Sequence, residues 1–133
     1  MTNSNVLKKI LLLATLICFA RLFATAQSTV LDGRVFTIQL YIDKEKDIVD
    51  TLFFENGTMR FATQKTYGFG ITNFKTKEKN GNVTFDANFK SKKNGEMIWE
   101  GKVTGDQVEG TLIWDKELQN PVNYTFETKP EIK

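Results

Sequence analysis

The sequence has no histidine, and its single cysteine, Cys18, lies close to the N-terminus. Without an imidazole and a second thiol, the chain lacks the side chains most often used as general bases, thiolate nucleophiles and zinc ligands, and it can form no intramolecular disulfide. Serine is scarce beyond the N-terminal region, and no nucleophile elbow, phosphate-binding glycine loop or dinucleotide fingerprint is present. The sequence therefore predicts no catalytic residues, no metal site and no cofactor.

The N-terminal 26 residues differ in composition from the rest of the chain. Lys8-Lys9 precedes an apolar run from Ile10 to Ala20, and Ala24-Thr25-Ala26 offers small residues before a cleavage point. These are the parts of a secretory signal peptide, and the run is shorter than the roughly 20 residues that span a bilayer. We expect cleavage between Ala26 and Gln27, no membrane span after cleavage, and a secreted or periplasmic protein.

Cys18 suggests a second processing route, in which a bacterial lipoprotein is cut just before a cysteine that then carries the lipid. Such sites require a small residue immediately before the cysteine, and Ile17 occupies that place. The sequence therefore disfavours a lipoprotein.

The net charge changes when the signal peptide is removed. The whole chain has 18 Lys and Arg against 16 Asp and Glu, and Lys8, Lys9 and Arg21 belong to the signal, which leaves 15 against 16. A nucleic-acid-binding surface needs an excess of positive charge. We expect no nucleic-acid partner.

Residues 27–133 are enough for one domain, and their dominant pattern is alternation of apolar and polar residues, which is typical of strands. The apolar positions fall into eight groups: Phe36, Ile38, Leu40 and Ile42; Leu52 and Phe54; Met59 and Phe61; Tyr67, Phe69 and Ile71; Val83, Phe85, Ala87 and Phe89; Met97, Trp99, Gly101 and Val103; Val108, Gly110, Leu112 and Trp114; Val122, Tyr124 and Phe126.

Short turns separate most of these groups. Asn56-Gly57, Asn80-Gly81, Asn94-Gly95 and Gly105-Asp106 all favour hairpins, because Asn and Gly tolerate the positive φ of tight turns. The polar stretch that begins at Asp43 and extends to Asp50 is expected to be a mobile acidic loop. The predicted fold is all-β: an antiparallel up-and-down meander of about eight strands that closes into a small barrel. An open meander and a two-sheet sandwich fit the same pattern.

Five aromatic residues on the inward-facing positions are the candidate ligand-binding set. They are Tyr67, Phe69, Trp99, Trp114 and Tyr124. A barrel of this size either encloses one small ligand or is filled by its own side chains. The alternation of apolar and polar residues along the strands is the same in both cases, so it does not distinguish them. The first hypothesis is a non-catalytic module that holds a small hydrophobic ligand. The alternative is a filled barrel that acts as an interaction module in the cell envelope through loops at Asp43 to Asp50 or Ala62 to Thr66, with an unknown protein partner.

Paired carboxylates are the remaining route to catalysis, because glycoside hydrolysis needs only two acids at a fixed separation. Asp86, Glu100 and Glu109 lie at polar positions of the alternation. We expect them on a solvated outer face, and a carboxylate-only hydrolase is the third hypothesis.

Several segments resemble secreted bacterial proteins that are described as lipocalin-like. The likeness lies in Trp99-Glu100-Gly101-Lys102-Val103-Thr104-Gly105 and Gly110-Thr111-Leu112-Ile113-Trp114, together with Asp32-Gly33 and Tyr67-Gly68-Phe69, and it extends from about Leu31 to Phe126. The resemblance implies a calycin-type barrel, a fold whose better known members bind small apolar molecules inside.

Overall fold

The computed structural model describes residues 30–132, which form antiparallel strands joined by turns. The expected signal peptide of residues 1–26, the cleavage point between Ala26 and Gln27, and Cys18 lie outside the described residues. Within the described part of the chain, no helix has the length and apolar character needed to cross a membrane.

The described chain contains eight strands. They are β1 (Val35–Ile42), β2 (Glu45–Glu55), β3 (Thr58–Phe61), β4 (Thr72–Lys79), β5 (Asn82–Ser91), β6 (Gly95–Thr104), β7 (Gln107–Asp115) and β8 (Val122–Thr128). Each strand pairs antiparallel with the next, and β8 pairs with β1, so the sheet closes into a barrel. The predicted all-β meander and its closure are confirmed.

Two of the hairpin turns have the backbone that their sequence predicts. Asn56 and Gly57 have φ of 51° and 74°, and Asn80 and Gly81 have φ of 52° and 78°. Positive φ at both central residues is the type I′ pattern, whose twist matches that of the flanking strands. These turns therefore fix the register of β2 with β3 and of β4 with β5.

The fourth strand does not lie where the alternation of Tyr67, Phe69 and Ile71 placed it. These residues precede β4, which begins at Thr72. Residues 62–71 form successive turns instead, with hydrogen bonds from the Gly68 N–H to the Lys65 carbonyl (3.1 Å) and from the Phe69 N–H to the Gln64 carbonyl (2.8 Å). Gly68 has φ of 78°, which a strand does not allow. We call residues 62–71 the mouth segment.

The stretch from Asp43 to Asp50 is also different from the prediction of an acidic loop. Asp43 and Lys44, with φ of 48° and 67°, form a two-residue turn, and β2 begins directly afterwards at Glu45. Charged side chains at the start of β2 therefore belong to a paired strand. Cross-strand pairing, such as that of Ile42 with Glu45, outweighs the weak strand propensity of the acidic residues here.

The two ends of the barrel are closed differently. At one end, residues 30–34 cover the opening: Leu31 is fully buried, and the Asp32 carboxyl accepts a hydrogen bond from the Gly57 N–H at 2.8 Å. The other end carries the β1–β2, β3–β4, β5–β6 and β7–β8 connections. We call it the mouth end, because the mouth segment lies there.

Aromatic side chains fill most of the interior. Phe54 contacts Phe74 and Phe85 edge to face, with ring centroids 5.0 and 4.9 Å away. Gly101 and Gly110 face each other across β6 and β7, and a Cβ at Gly101 would overlap the Phe85 ring. These two inward-facing glycines therefore provide the space that the phenylalanine rings occupy.

Candidate functional site

A small, partly open cavity of about 30 Å³ remains at the mouth end of the barrel. This space can hold about one or two water molecules. Its wall contains the aromatic residues Phe61, Tyr67, Trp99, Trp114 and Tyr124, the polar residues Asp47, Asp50 and Thr63, and the aliphatic residues Leu40, Ile48, Met97 and Leu112. We call this space the mouth cavity. It combines an aromatic wall with a few polar groups, the usual composition of a small-molecule site.

Four of the five aromatic residues predicted to bind a ligand lie together in the wall of this cavity. Trp99 is at the centre of β6, Trp114 near the end of β7 and Tyr124 near the start of β8, while Tyr67 comes from the mouth segment. The fifth, Phe69, is not in the wall but packs behind it, with its ring 6.2 Å from that of Trp114.

Trp99 has a polar atom that the protein leaves without a partner. Its side chain is 1% exposed, and its Nε1–H has no hydrogen-bond acceptor among the described residues. The ring packs between Phe61 and Phe126, each with a centroid distance of 5.4 Å. A buried N–H without an acceptor is uncommon, because it costs about 1 to 3 kcal/mol of desolvation free energy. The wall of the cavity thus contains an unused hydrogen-bond donor.

Asn94 connects the mouth segment to the opposite wall of the barrel. Its Nδ2 donates to the Tyr67 carbonyl at 2.6 Å, and its own carbonyl accepts the Nε1–H of Trp114 at 2.7 Å. The Tyr67 and Trp114 rings meet edge to face at 5.2 Å. A Cβ at Gly68 would lie 2.5 Å from Asn94 Nδ2, so the segment can approach this closely because residue 68 is glycine.

Asp50 attaches the other end of the mouth segment. It is 4% exposed, and its carboxylate accepts hydrogen bonds from the Thr51 N–H (2.8 Å), the Thr63 N–H (3.3 Å) and the Thr63 hydroxyl. Asp50 was expected in a mobile acidic loop, and this anchoring role was not predicted. The signal was present, since Asp50 is two residues before Leu52 and four before Phe54 and therefore faces inward with them.

Asp47 and Tyr124 lie at the rim of the cavity. Burial raises the pKa of the Tyr124 hydroxyl, and the negative charge of Asp47 and the neighbouring Tyr67 raise that pKa further. Asp47 itself is exposed. Among residues 30–132, Asp47 and Asp50 are the only ionisable side chains in the wall apart from the two tyrosines, and no Lys or Arg of this range contributes to it.

The three carboxylates considered for hydrolysis lie outside the barrel. Asp86, Glu100 and Glu109 are exposed, as expected for an outer face, and they border a broad open groove. Asp86 is directly opposite Glu100, while Glu109 is opposite Glu127 and 3.3 Å from the Lys102 ammonium. Two like-charged cross-strand pairs therefore share this surface, separate from the mouth cavity.

Comparison of the chain with known proteins finds no relative. No family model, no curated protein and no solved structure matches the chain. The barrel architecture is therefore established by the structure alone.

Proposed function

We propose that the protein is an exported, non-catalytic, lipocalin-like binding module that holds a small apolar molecule at the mouth end of its barrel. The observation that carries the proposal is the mouth cavity, whose wall contains two tryptophans and two tyrosines. One of them, Trp99, has a buried indole N–H without an acceptor among residues 30–132. A ligand with an apolar ring and an acceptor atom would satisfy both features. The export signal inferred from the sequence supports a role outside the cytoplasm.

Binding of anything larger than water requires the mouth segment to move, because the cavity has only about 30 Å³. The architecture supports such movement. Strands β3 and β4, which flank the segment, pair only through Thr58–Asn73 and Met59–Thr72, whereas β6 and β7 pair along their whole length. Displacing the segment breaks the hydrogen bonds of Asp50 and Asn94 and removes Tyr67 and Phe69 from the Trp114 ring. It leaves the cluster of Phe54, Phe74 and Phe85 in place.

Tryptophan fluorescence can test the proposal directly, because the chain has only two tryptophans and both line the cavity. We would titrate the purified protein with the neutral apolar dye N-phenyl-1-naphthylamine. We expect saturable dye emission with matching quenching of the protein. Native mass spectrometry of protein taken from its own host would then identify a retained compound.

A cavity-filling variant provides the control. Leu112→Phe adds volume to the wall of the cavity, whereas Ile113→Phe adds the same ring to the adjacent, outward-facing position on β7. We expect Leu112→Phe to abolish dye binding and Ile113→Phe to leave it unchanged. Ile48→Phe, on a half-buried cavity residue, repeats the test if Leu112→Phe does not fold. Equal binding by wild type and both filled variants would contradict the proposed site.

The nearly filled interior favours one other function, an interaction module in the cell envelope. The candidate contact is Ala62 to Thr66 in the mouth segment, since the stretch from Asp43 to Asp50 is a turn and a paired strand. Crosslinking in the native host distinguishes the two functions. Under this alternative, a crosslinked partner depends on the mouth segment and no small molecule is retained.

A further inference from the structure

We propose that the mouth cavity selects its ligand by charge: it takes an organic cation, a protonated or quaternary amine on an apolar body, and rejects amphiphiles with a carboxylate. This inference rests on the proposed binding function and specifies its ligand class. It follows from the charges in the wall, the aromatic faces beside them and the unpartnered indole of Trp99.

The charged groups of the wall all have one sign. Asp47 and Asp50 are carboxylates, and no Lys or Arg in the described part of the chain lines the cavity to compensate a ligand anion. Asp50 is 4% exposed, so water screens its charge little. Placing a ligand carboxylate here would bury like charges together, while an ammonium would be attracted by both groups.

The ring of one wall residue, Trp114, already contacts an ammonium group that lies outside the wall. Lys116 Nζ lies over the ring of Trp114, 3.9 Å from its centroid. Neither Asp47 nor Asp50 forms an ion pair within 4.0 Å with any basic group in residues 30–132, Lys116 included. A ligand cation can take the place of Lys116 on this ring and gain the two carboxylates as well.

Trp99 provides the second, independent sign of a ligand. Trp99 lines the cavity, and its buried N–H has no acceptor among residues 30–132. A neutral carbonyl, ether or hydroxyl oxygen of a ligand that reaches this N–H would supply one. An anionic oxygen would also accept this hydrogen bond, but it would lie in the same small space as the two carboxylates. The favoured ligand is therefore a cation with a neutral acceptor.

The test uses three probes that share one ring: benzylamine, benzyl alcohol and benzoate, titrated by tryptophan quenching and calorimetry at neutral pH and physiological salt. We expect benzylamine to bind about tenfold more tightly than benzyl alcohol, and benzoate to bind most weakly. Asp47→Asn should lower benzylamine affinity about two- to fivefold and leave benzyl alcohol unchanged. Lys116→Gln should raise benzylamine affinity, because it frees the Trp114 ring.

Asp43→Asn is the matched control, since Asp43 is in the same hairpin but outside the cavity wall. It should leave the preference for benzylamine intact. Equal affinity for the three probes, or tighter binding of benzoate, would overturn charge selection while retaining the binding site. Absence of binding by all three probes and by the neutral dye would overturn the proposed function itself.

Discussion

Thr63 donates two hydrogen bonds to the carboxylate of Asp50, one from its hydroxyl and one from its backbone N–H. Asp50 belongs to β2 and Thr63 to the mouth segment, so this pair ties the beginning of the segment to the barrel wall, together with the hydrogen bond from the Ala62 N–H to the Thr51 carbonyl at 2.9 Å. With the Thr51 N–H as a third donor, the buried carboxylate is well satisfied. The pair is therefore expected to contribute to folding as well as to closure of the cavity.

Replacing Asp50 should lower the stability of the fold. Asp50→Asn places an amide NH₂ where an acceptor is needed, and we expect the free energy of unfolding to fall by about 1 to 3 kcal/mol. Thr63→Val, which removes only the hydroxyl, should cost about 1 kcal/mol. Urea unfolding followed by tryptophan fluorescence measures both. Asp86→Asn on the exposed outer face is the control and should change stability by less than about 0.5 kcal/mol; equal effects at positions 50 and 86 would disprove the anchoring role.

Replacing Trp114 by phenylalanine should destabilise the protein more than replacing Trp99, although Trp99 is the more buried residue. Trp99 is the more buried, but Trp99→Phe removes an N–H that has no acceptor, which offsets part of the lost packing. Trp114→Phe loses the hydrogen bond to Asn94, worth about 0.5 to 1.5 kcal/mol. We expect Trp114→Phe to lower the unfolding midpoint in urea further than Trp99→Phe. The opposite order would mean that the packing lost at Trp99 outweighs the removal of its unpartnered N–H.

Gly101 should not tolerate even one added methyl group. A Cβ there would overlap the ring of Phe85, which packs edge to face against Phe54, so this ring would have to shift. We expect Gly101→Ala to destabilise the protein by about 1 to 3 kcal/mol. Gly70→Ala is the matched control, because a Cβ at Gly70 has no neighbour within 4 Å. Thermal unfolding of the two variants checks this, and a similar melting temperature for both would contradict the packing.

Stability should decrease in alkaline solution partly because of Tyr124. Burial is the main cause that raises the pKa of this tyrosine above its usual 10.0. The unfolded chain then releases the proton at lower pH than the folded one, so the stabilisation is complete below about pH 10 and is lost as the pH rises through the pKa of the folded state.

Urea unfolding at several pH values tests this expectation. The wild type should lose stability above about pH 10, and Tyr124→Phe should reduce the slope. Tyr41, whose pKa is raised first by its hydrogen bond to Glu127, is present in both proteins and contributes equally to each. An unchanged slope would show that Tyr124 titrates as it does in the unfolded chain.

The sequence was sufficient to predict the barrel because turn chemistry and alternation acted together. Asn56-Gly57 and Asn80-Gly81 determine both the positions and the geometry of two hairpins, and alternation assigns most side chains to the correct face. The pattern at Tyr67, Phe69 and Ile71 was misleading for a physical reason. Alternation is only one condition for a strand, and the positive φ of Gly68 together with the local hydrogen bonds gives the same residues a series of turns.

The site could be predicted only in part. The side chains of a strand point to the same face at every second residue, which places Trp99, Trp114 and Tyr124 on the inner face. These aromatic residues of the cavity wall could therefore be predicted. The volume of the cavity depends on how rings from different strands interlock, for example Phe61 with Trp99, and alternation contains no information about that. Asp50 was missed because its partner Thr63 lies in a segment without a strand pattern, although its spacing from Leu52 indicated an inward side chain.

The short pairing of β3 with β4 also determines where the closed sheet should first exchange its backbone protons. Only Thr58–Asn73 and Met59–Thr72 join these strands, so few interstrand hydrogen bonds must break before the amides beside this seam reach solvent. Hydrogen–deuterium exchange is therefore expected to begin at β3 and β4 and to be slowest in β6 and β7, where pairing continues from Glu96–Asp115 to Thr104–Gln107. The β3–β4 pairing, which lies beside the mouth cavity, is therefore expected to open faster than the rest of the sheet.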